Sequence, residues 1–196
     1  MGSRKAILVI DMQRDFVECG SPVCVAGAKV TLPSLSRFLD AGRRSGWSVV
    51  YVCRRHHPSG VDAERFRRHL FECGRPVCAD GTPGAEICGE IAPQEGDFVV
   101  VKQRFDGFFR TGLETLLRGL EVETVYITGT QYPNCVRATA VGALERDFTT
   151  IVVTDCCSAA DEATAMANIA DLRRMEIRCE RSDIIMADEM QIDFAE

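Results

Sequence analysis

Three reactive side chains stand where strand-like runs end. Asp11 closes Ala6–Asp11, Lys102 closes Phe98–Lys102, and Cys135 follows the run Thr124–Gly129. A thiol, a carboxylate and an ammonium on one rim can perform nucleophilic acyl chemistry. A cysteine at a strand-to-helix turn reads as a nucleophile before it reads as core filler. Each residue alone has a plainer role: a turn residue for the aspartate, a solvated edge for the lysine, core filling for the cysteine. Their convergence is what points to chemistry. Cys135 also precedes a helix-prone stretch from about Asn134 to Arg146. There, free amides and the helix dipole are expected to favour a thiolate.

The elements that would position these groups follow from hydrophobic patterning. Ala6–Asp11, Ser48–Cys53, Phe98–Lys102, Thr124–Gly129, Thr149–Asp155 and Glu176–Cys179 are short and rich in Val, Ile and Thr. They read as strands buried on both faces. Thr31–Ser45, Thr111–Gly119, Asn134–Arg146 and Asp161–Met175 carry helical spacing, with Asp161 placed as an N-cap. The alternation predicts one domain over residues 1–196. Its fold class is a three-layer α/β/α, with a six-stranded, parallel, doubly wound sheet. Ligands bind such sheets beyond the C-terminal strand ends, where the three reactive residues lie. Between Arg54 and Gly96 the chain is irregular apart from a helical piece, Asp62–Leu70. An insertion of this length is expected to cover or line the site.

Composition narrows the partners. A net charge of −6 leaves no basic face for nucleic acid. No apolar run approaches the roughly 20 residues of a membrane span, and Asp11 interrupts the first apolar run too early for a signal peptide. A cytoplasmic protein with a small-molecule substrate is expected. The ten cysteines then read as reduced thiols, several of them in apolar segments, with Cys156 and Cys157 as core packing. The C-x4-C pairs Cys19/Cys24 and Cys73/Cys78 lack the tighter knuckle spacing of structural zinc sites.

The motifs resemble, in order over roughly residues 5–180, those of the isochorismatase-like cysteine hydrolases. Ile10-Asp11-Met12-Gln13, followed by Asp15-Phe16, resembles the opening motif of that family. Asp80-Gly81-Thr82-Pro83-Gly84-Ala85-Glu86 resembles its G-T-x-G-x-E segment. Val100-Val101-Lys102, with Arg104-Phe105-Asp106-Gly107-Phe108, resembles its lysine motif. Gly129 to Ala140 resembles its cysteine loop, and Thr154-Asp155 with Ser158 its later D-x-x-S turn. The resemblance implies a catalytic triad of Asp11, Lys102 and Cys135, and a cis peptide between Thr130 and Gln131 that serves an oxyanion hole. It also implies a strand order of 3-2-1-4-5-6 and a homo-oligomer, dimer or tetramer. In that order Lys102 starts two strands, about 10 Å, from Asp11, a gap its stem must cross.

The family's nicotinamidases bind a metal through Asp-x-His and a later His. Here the equivalent stretch reads Cys53-Arg54-Arg55-His56-His57-Pro58, with an arginine where that aspartate is expected, so no metal and no cofactor are assigned. Phe16, His56, Phe105, Phe108 and Tyr132 are taken as pocket residues. The arginines at 54, 55, 65, 67 and 68 could attract a carboxylate, but they read first as a solvated helix face. The expected reaction is hydrolysis of a small amide, carbamoyl or ureido C–N bond through a thioester. A vinyl-ether hydrolase and a catalytically silent binding member are the alternatives.

Overall fold

Parallel strands must be joined by crossovers, and the chain places a helix or a long loop after each strand. The computed structural model describes residues 4–193. It contains β1 (Lys5–Ile10), α1 (Arg14–Val17), α2 (Ala28–Arg44), β2 (Ser48–Arg54), α3 (Arg68–Glu72), β3 (Phe98–Lys102) and α4 (Leu113–Gly119). Then follow β4 (Thr124–Thr130), α5 (Arg137–Leu144), β5 (Thr149–Ser158), α6 (Glu162–Arg174), β6 (Arg178–Glu180) and α7 (Ser182–Asp193). The two ends of the expected domain, 1–3 and 194–196, lie outside the described residues.

All six strands pair in parallel in the order β3-β2-β1-β4-β5-β6. Successive side chains of each strand go to opposite faces, and two core clusters result. Leu8, Ile10, Val50, Val52, Val125 and Ile127 face α4, α5 and α6, meeting Leu113, Leu117, Ala140 and Leu172. Ile7, Val9, Val49, Tyr51, Tyr126 and Val153 face α2 and α7, meeting Leu32, Leu35, Phe38 and Ile185. Cys156 and Cys157 are buried in these clusters, and all ten cysteines are free thiols. No helix among the described residues is long and apolar enough to cross a membrane.

Four expectations are corrected in detail. β3 is an edge strand, so Val99 and Val101 are exposed rather than covered on both faces. The expected helix Asn134–Arg146 divides into a π-helical turn, Tyr132–Val136, and α5. The piece Asp62–Leu70 is a 3-10 turn, Arg65–Arg67, running into α3. The chain also adds α7, whose first turn is tied back by Asp155, which accepts from the Ser182 amide and hydroxyl, each at 2.7 Å. The N-cap at Asp161 is observed: its side chain accepts from the Thr164 amide at 2.7 Å.

Candidate active site

Strand register brings the C-terminal ends of four strands to one rim. Ile10 pairs with Val52 on one side and Gly129 on the other, and Arg54 pairs with Lys102. Asp11 leaves β1 with φ 50°, a left-handed conformation that aspartate tolerates better than most residues. Its amide still donates to Val52 O at 3.1 Å, which fixes the turn. Across the sheet, Gly129 has φ 104°, and a Cβ there would lie 2.1 Å from Ile10 O. Glycine therefore lets β4 close on β1, so that Asp11 and the loop carrying Cys135 meet.

Lys102 spans the intervening strand. Its Nζ donates to Asp11 Oδ2 at 2.7 Å and to Arg104 O at 3.1 Å, and both side chains of the ion pair are fully buried. Asp11 Oδ1 is buried without a partner among the described residues. Cys135 lies in the π-helical turn, only 4% exposed. The Thr130–Gln131 peptide that precedes it is cis. Thr130 Oγ1 accepts from Ser158 Oγ at 2.9 Å, so the D-x-x-S turn supports this loop from β5.

The expected thiolate is corrected. Burial pushes the Cys135 thiol up from its ordinary value, and the Asp11 charge adds to the rise. Lys102 and Arg54 pull it down, but by less. Desolvation opposes the thiolate, and α5 begins only at Arg137, beyond Cys135.

The rim holds a second positive charge that the sequence left among solvated residues. Arg54, at the end of β2, is fully buried. Its Nη1 donates to Glu64 Oε1 at 2.6 Å and to Gln103 O at 3.0 Å. Its Nη2 donates to Arg104 O at 3.1 Å and reaches Cys135 Sγ at 3.6 Å. Burial works against its charge, but Asp11, Cys135 and Glu64 outweigh that and raise its pKa further. Gln13 fixes the backbone beneath it: Nε2 donates to Arg54 O and Ala85 O, and Oε1 accepts from Arg54 N, each at 2.7 Å. Glu64 also lies 3.6 Å from Arg67 Nη1. Burial would raise the Glu64 carboxyl, but the two guanidinia win and lower it. Arg67 is buried too, whereas Arg55, Arg65 and Arg68 are the exposed ones. The signal for Arg54 was its place on the same rim as Asp11 and Lys102.

The expected pocket residues separate. Phe105 lies beside the site, with the guanidinium carbons of Arg54 and Arg67 at 5.7 and 5.6 Å from its ring centre. Phe108 instead stacks on Phe148 in the core, because the Gly107 amide is tied to Thr139 Oγ1 and turns the loop inward. Phe16 packs with Val77, Cys78 and Ala85. Tyr132 is fully buried in the core, with its hydroxyl donating to Thr154 O at 3.4 Å. His56 is buried behind Glu64, with Nε2 3.7 Å from Glu64 Oε2 and Nδ1 3.4 Å from Asp62 Oδ1. Burial and then the Arg54 charge lower its pKa, so it is neutral near pH 7.

These residues do not fit a metal. No group of three or more His, Cys, Asp or Glu among the described residues is arranged to hold one. The guanidinium of Arg54 already supplies a positive charge on Glu64, beside His56, and would repel a cation there.

A doubly wound parallel sheet thus gathers a buried thiol, carboxylate and ammonium at its C-terminal rim. The family model described as "Isochorismatase domain" matches residues 5–182, and the chain belongs to that family. It is 38% identical over 177 residues to an Arabidopsis thaliana protein described as a probable inactive nicotinamidase, covering 88% of this chain and 90% of the relative. It is 31% identical over 179 residues to the maleamate amidohydrolase of Pseudomonas putida, covering 87% and 80%. The crystal structure of an isochorismatase family protein from Desulfovibrio vulgaris superposes with a TM-score of 0.92 at 44% identity, covering 96% and 98%. Its amidohydrolase relatives support a hydrolase acting on C–N bonds.

Proposed function

We propose that the protein hydrolyses a small amide, carbamoyl or ureido C–N bond through a thioester on Cys135, with Asp11 as proton carrier and Lys102 as its charge partner. The observation that carries this reading is the fully buried Lys102–Asp11 contact of 2.7 Å beside an enclosed thiol.

The raised thiol sets the first step. Cys135 Sγ attacks the carbonyl carbon while Asp11 Oδ1, which has no other partner among the described residues, takes the thiol proton. The carbonyl π pair moves onto oxygen, where the amides of Gln131 and Cys135 are the donors we assign. On collapse the C–N bond breaks and Asp11 returns the proton to the leaving nitrogen. A water then attacks the thioester with Asp11 as base; the C–S bond breaks, and the proton goes back to sulphur. Lys102 holds Asp11 in place and offsets its charge. Arg54, 3.6 Å from Sγ, favours negative charge as it develops on sulphur.

Ammonia release from a panel of small amides and ureides is the test. Turnover should vanish in Cys135→Ala and in Asp11→Asn; release that survives Cys135→Ala removes the mechanism. A second reading, a binding member without turnover, draws on the near-complete enclosure of Cys135 and on the relative described as probably inactive. It predicts ligand binding with no ammonia released by the wild type or by the variants.

A further inference from the structure

The enclosed rim has one positive charge too many. Lys102 pairs with Asp11, and Arg54 pairs with Glu64. Arg67 is left over. Its side chain is 9% exposed, and Nη1 is buried without a hydrogen-bond partner among the described residues. The nearest carboxylate oxygen, Glu64 Oε1, is 3.6 Å away and is already taken at 2.6 Å by Arg54. Buried charged donors are nearly always satisfied, because leaving one bare costs several kcal/mol. Burial, followed by the Arg54 charge, lowers the Arg67 pKa below the usual arginine value.

Two further features point the same way. The guanidinium carbon of Arg67 lies near two rings, 5.2 Å from the Phe66 centre and 5.6 Å from that of Phe105. Aromatic faces hold a guanidinium without consuming its N–H groups, so those stay available for a planar anion. A cleft of about 570 Å³ is lined by Asp62, Gln103, Arg104, Phe109 and Arg110. Gln103 and Arg104 are also the residues whose carbonyls hold Arg54 against Cys135. The lining of this cleft thus carries two arginines to one aspartate, a bias that attracts anions.

We propose that this site selects substrates bearing a carboxylate, and that Arg67 binds it, with Arg54 as the second positive pole. The inference rests on the C–N hydrolase reading and names its substrate class. The carboxylate would supply the acceptor that Arg67 lacks and bring the enclosed charge to neutrality while Cys135 is still a thiol. Glu64 keeps the two guanidinia apart and in place.

The test compares probes that differ only in the acid group: succinamate against butyramide, and N-carbamoylglycine against propylurea. The wild-type protein should prefer at least one carboxylated probe by about 10- to 100-fold in kcat/KM, the range of a charge-assisted hydrogen-bonded pair. Arg67→Gln should erase most of that ratio through KM, and Arg67→Lys should keep part of it. Equal use of acidic and neutral probes by the wild type, or a ratio unmoved by Arg67→Gln, overturns the proposal while leaving the hydrolase reading intact. Calorimetric binding of succinate to Cys135→Ala, lost on adding Arg67→Gln, supports the subsite even where no amide is hydrolysed. Absence of succinate binding together with absence of acid preference defeats it.

Discussion

Lys102 Nζ and Asp11 Oδ2 meet at 2.7 Å across the intervening strand β2, with both side chains sealed from solvent. Two charges enclosed in this way are held by each other, and removing one leaves the other bare. Lys102→Met should therefore destabilise the fold by about 3–5 kcal/mol, read from urea unfolding. The double variant Asp11→Asn/Lys102→Met should recover part of that stability and none of the turnover. A single-variant loss below about 1 kcal/mol would mean that water reaches the pair.

Gly129 decides whether β1 and β4 can lie close enough for this arrangement. Gly129→Ala combines a Cβ at 2.1 Å from Ile10 O with a φ of 104°. The backbone must yield, at a cost on the order of 2–4 kcal/mol. The shift falls directly between Asp11 and Cys135, so kcat should drop with stability. Retention of full kcat in a folded variant would show that the two loops do not depend on this contact.

The fold was legible because its strands are apolar runs that end together. The meeting of Asp11, Lys102 and Cys135 was legible because each ends such a run or lies in the loop that follows it. Arg54 was not, although it ends a strand too: an arginine run, Arg54-Arg55 with Arg65, Arg67 and Arg68, has the composition of a solvated face. Burial of Arg54 depends on Glu64 and on the Gln103 and Arg104 carbonyls, which are far away in sequence and invisible to periodicity. Phe108 misled for the opposite reason. It adjoins the lysine motif, yet the Gly107–Thr139 hydrogen bond turns its ring into the core. The enclosure of the thiol was not legible, because a strand-to-helix junction suggests exposed amides, whereas a π-helical turn and near-complete burial intervene.

Gln13 is a second clamp on Arg54, acting through the backbone. Its amide group makes three buried hydrogen bonds, two to Arg54 and one to Ala85. Gln13→Leu removes all three and strands buried backbone groups, a loss of about 2–4 kcal/mol. Gln13→Glu keeps the size and one acceptor but loses the donor, so two carbonyls go unpaired beside a new charge; it should be worse than leucine. Chemical denaturation of the three proteins checks the order, and a leucine variant as stable as wild type would mean that water replaces the clamp.

Alkaline pH should unfold the protein through its buried thiols. Burial raises the Cys53 thiol to about 12 and the Cys88 thiol to about 11, and it raises Cys135 as well. In the unfolded chain these thiols ionise near about 8.5. Above that pH the unfolded chain has lost protons that the folded chain still holds, so stability falls as pH rises. The stabilisation is complete below about pH 8 and is lost progressively up to the folded values, at about 1.4 kcal/mol per pH unit for each thiol held neutral. Thermal unfolding in the presence of a reductant, from pH 7 to 10.5, should show a Tm that is flat at first and then declines. Cys88→Ala should lower Tm at pH 7 by opening a small void, yet flatten the decline, because one linked proton is gone. The slope therefore separates ionisation from packing. A decline equally steep in Cys53→Ala and Cys88→Ala as in the wild type would remove these two thiols as its cause.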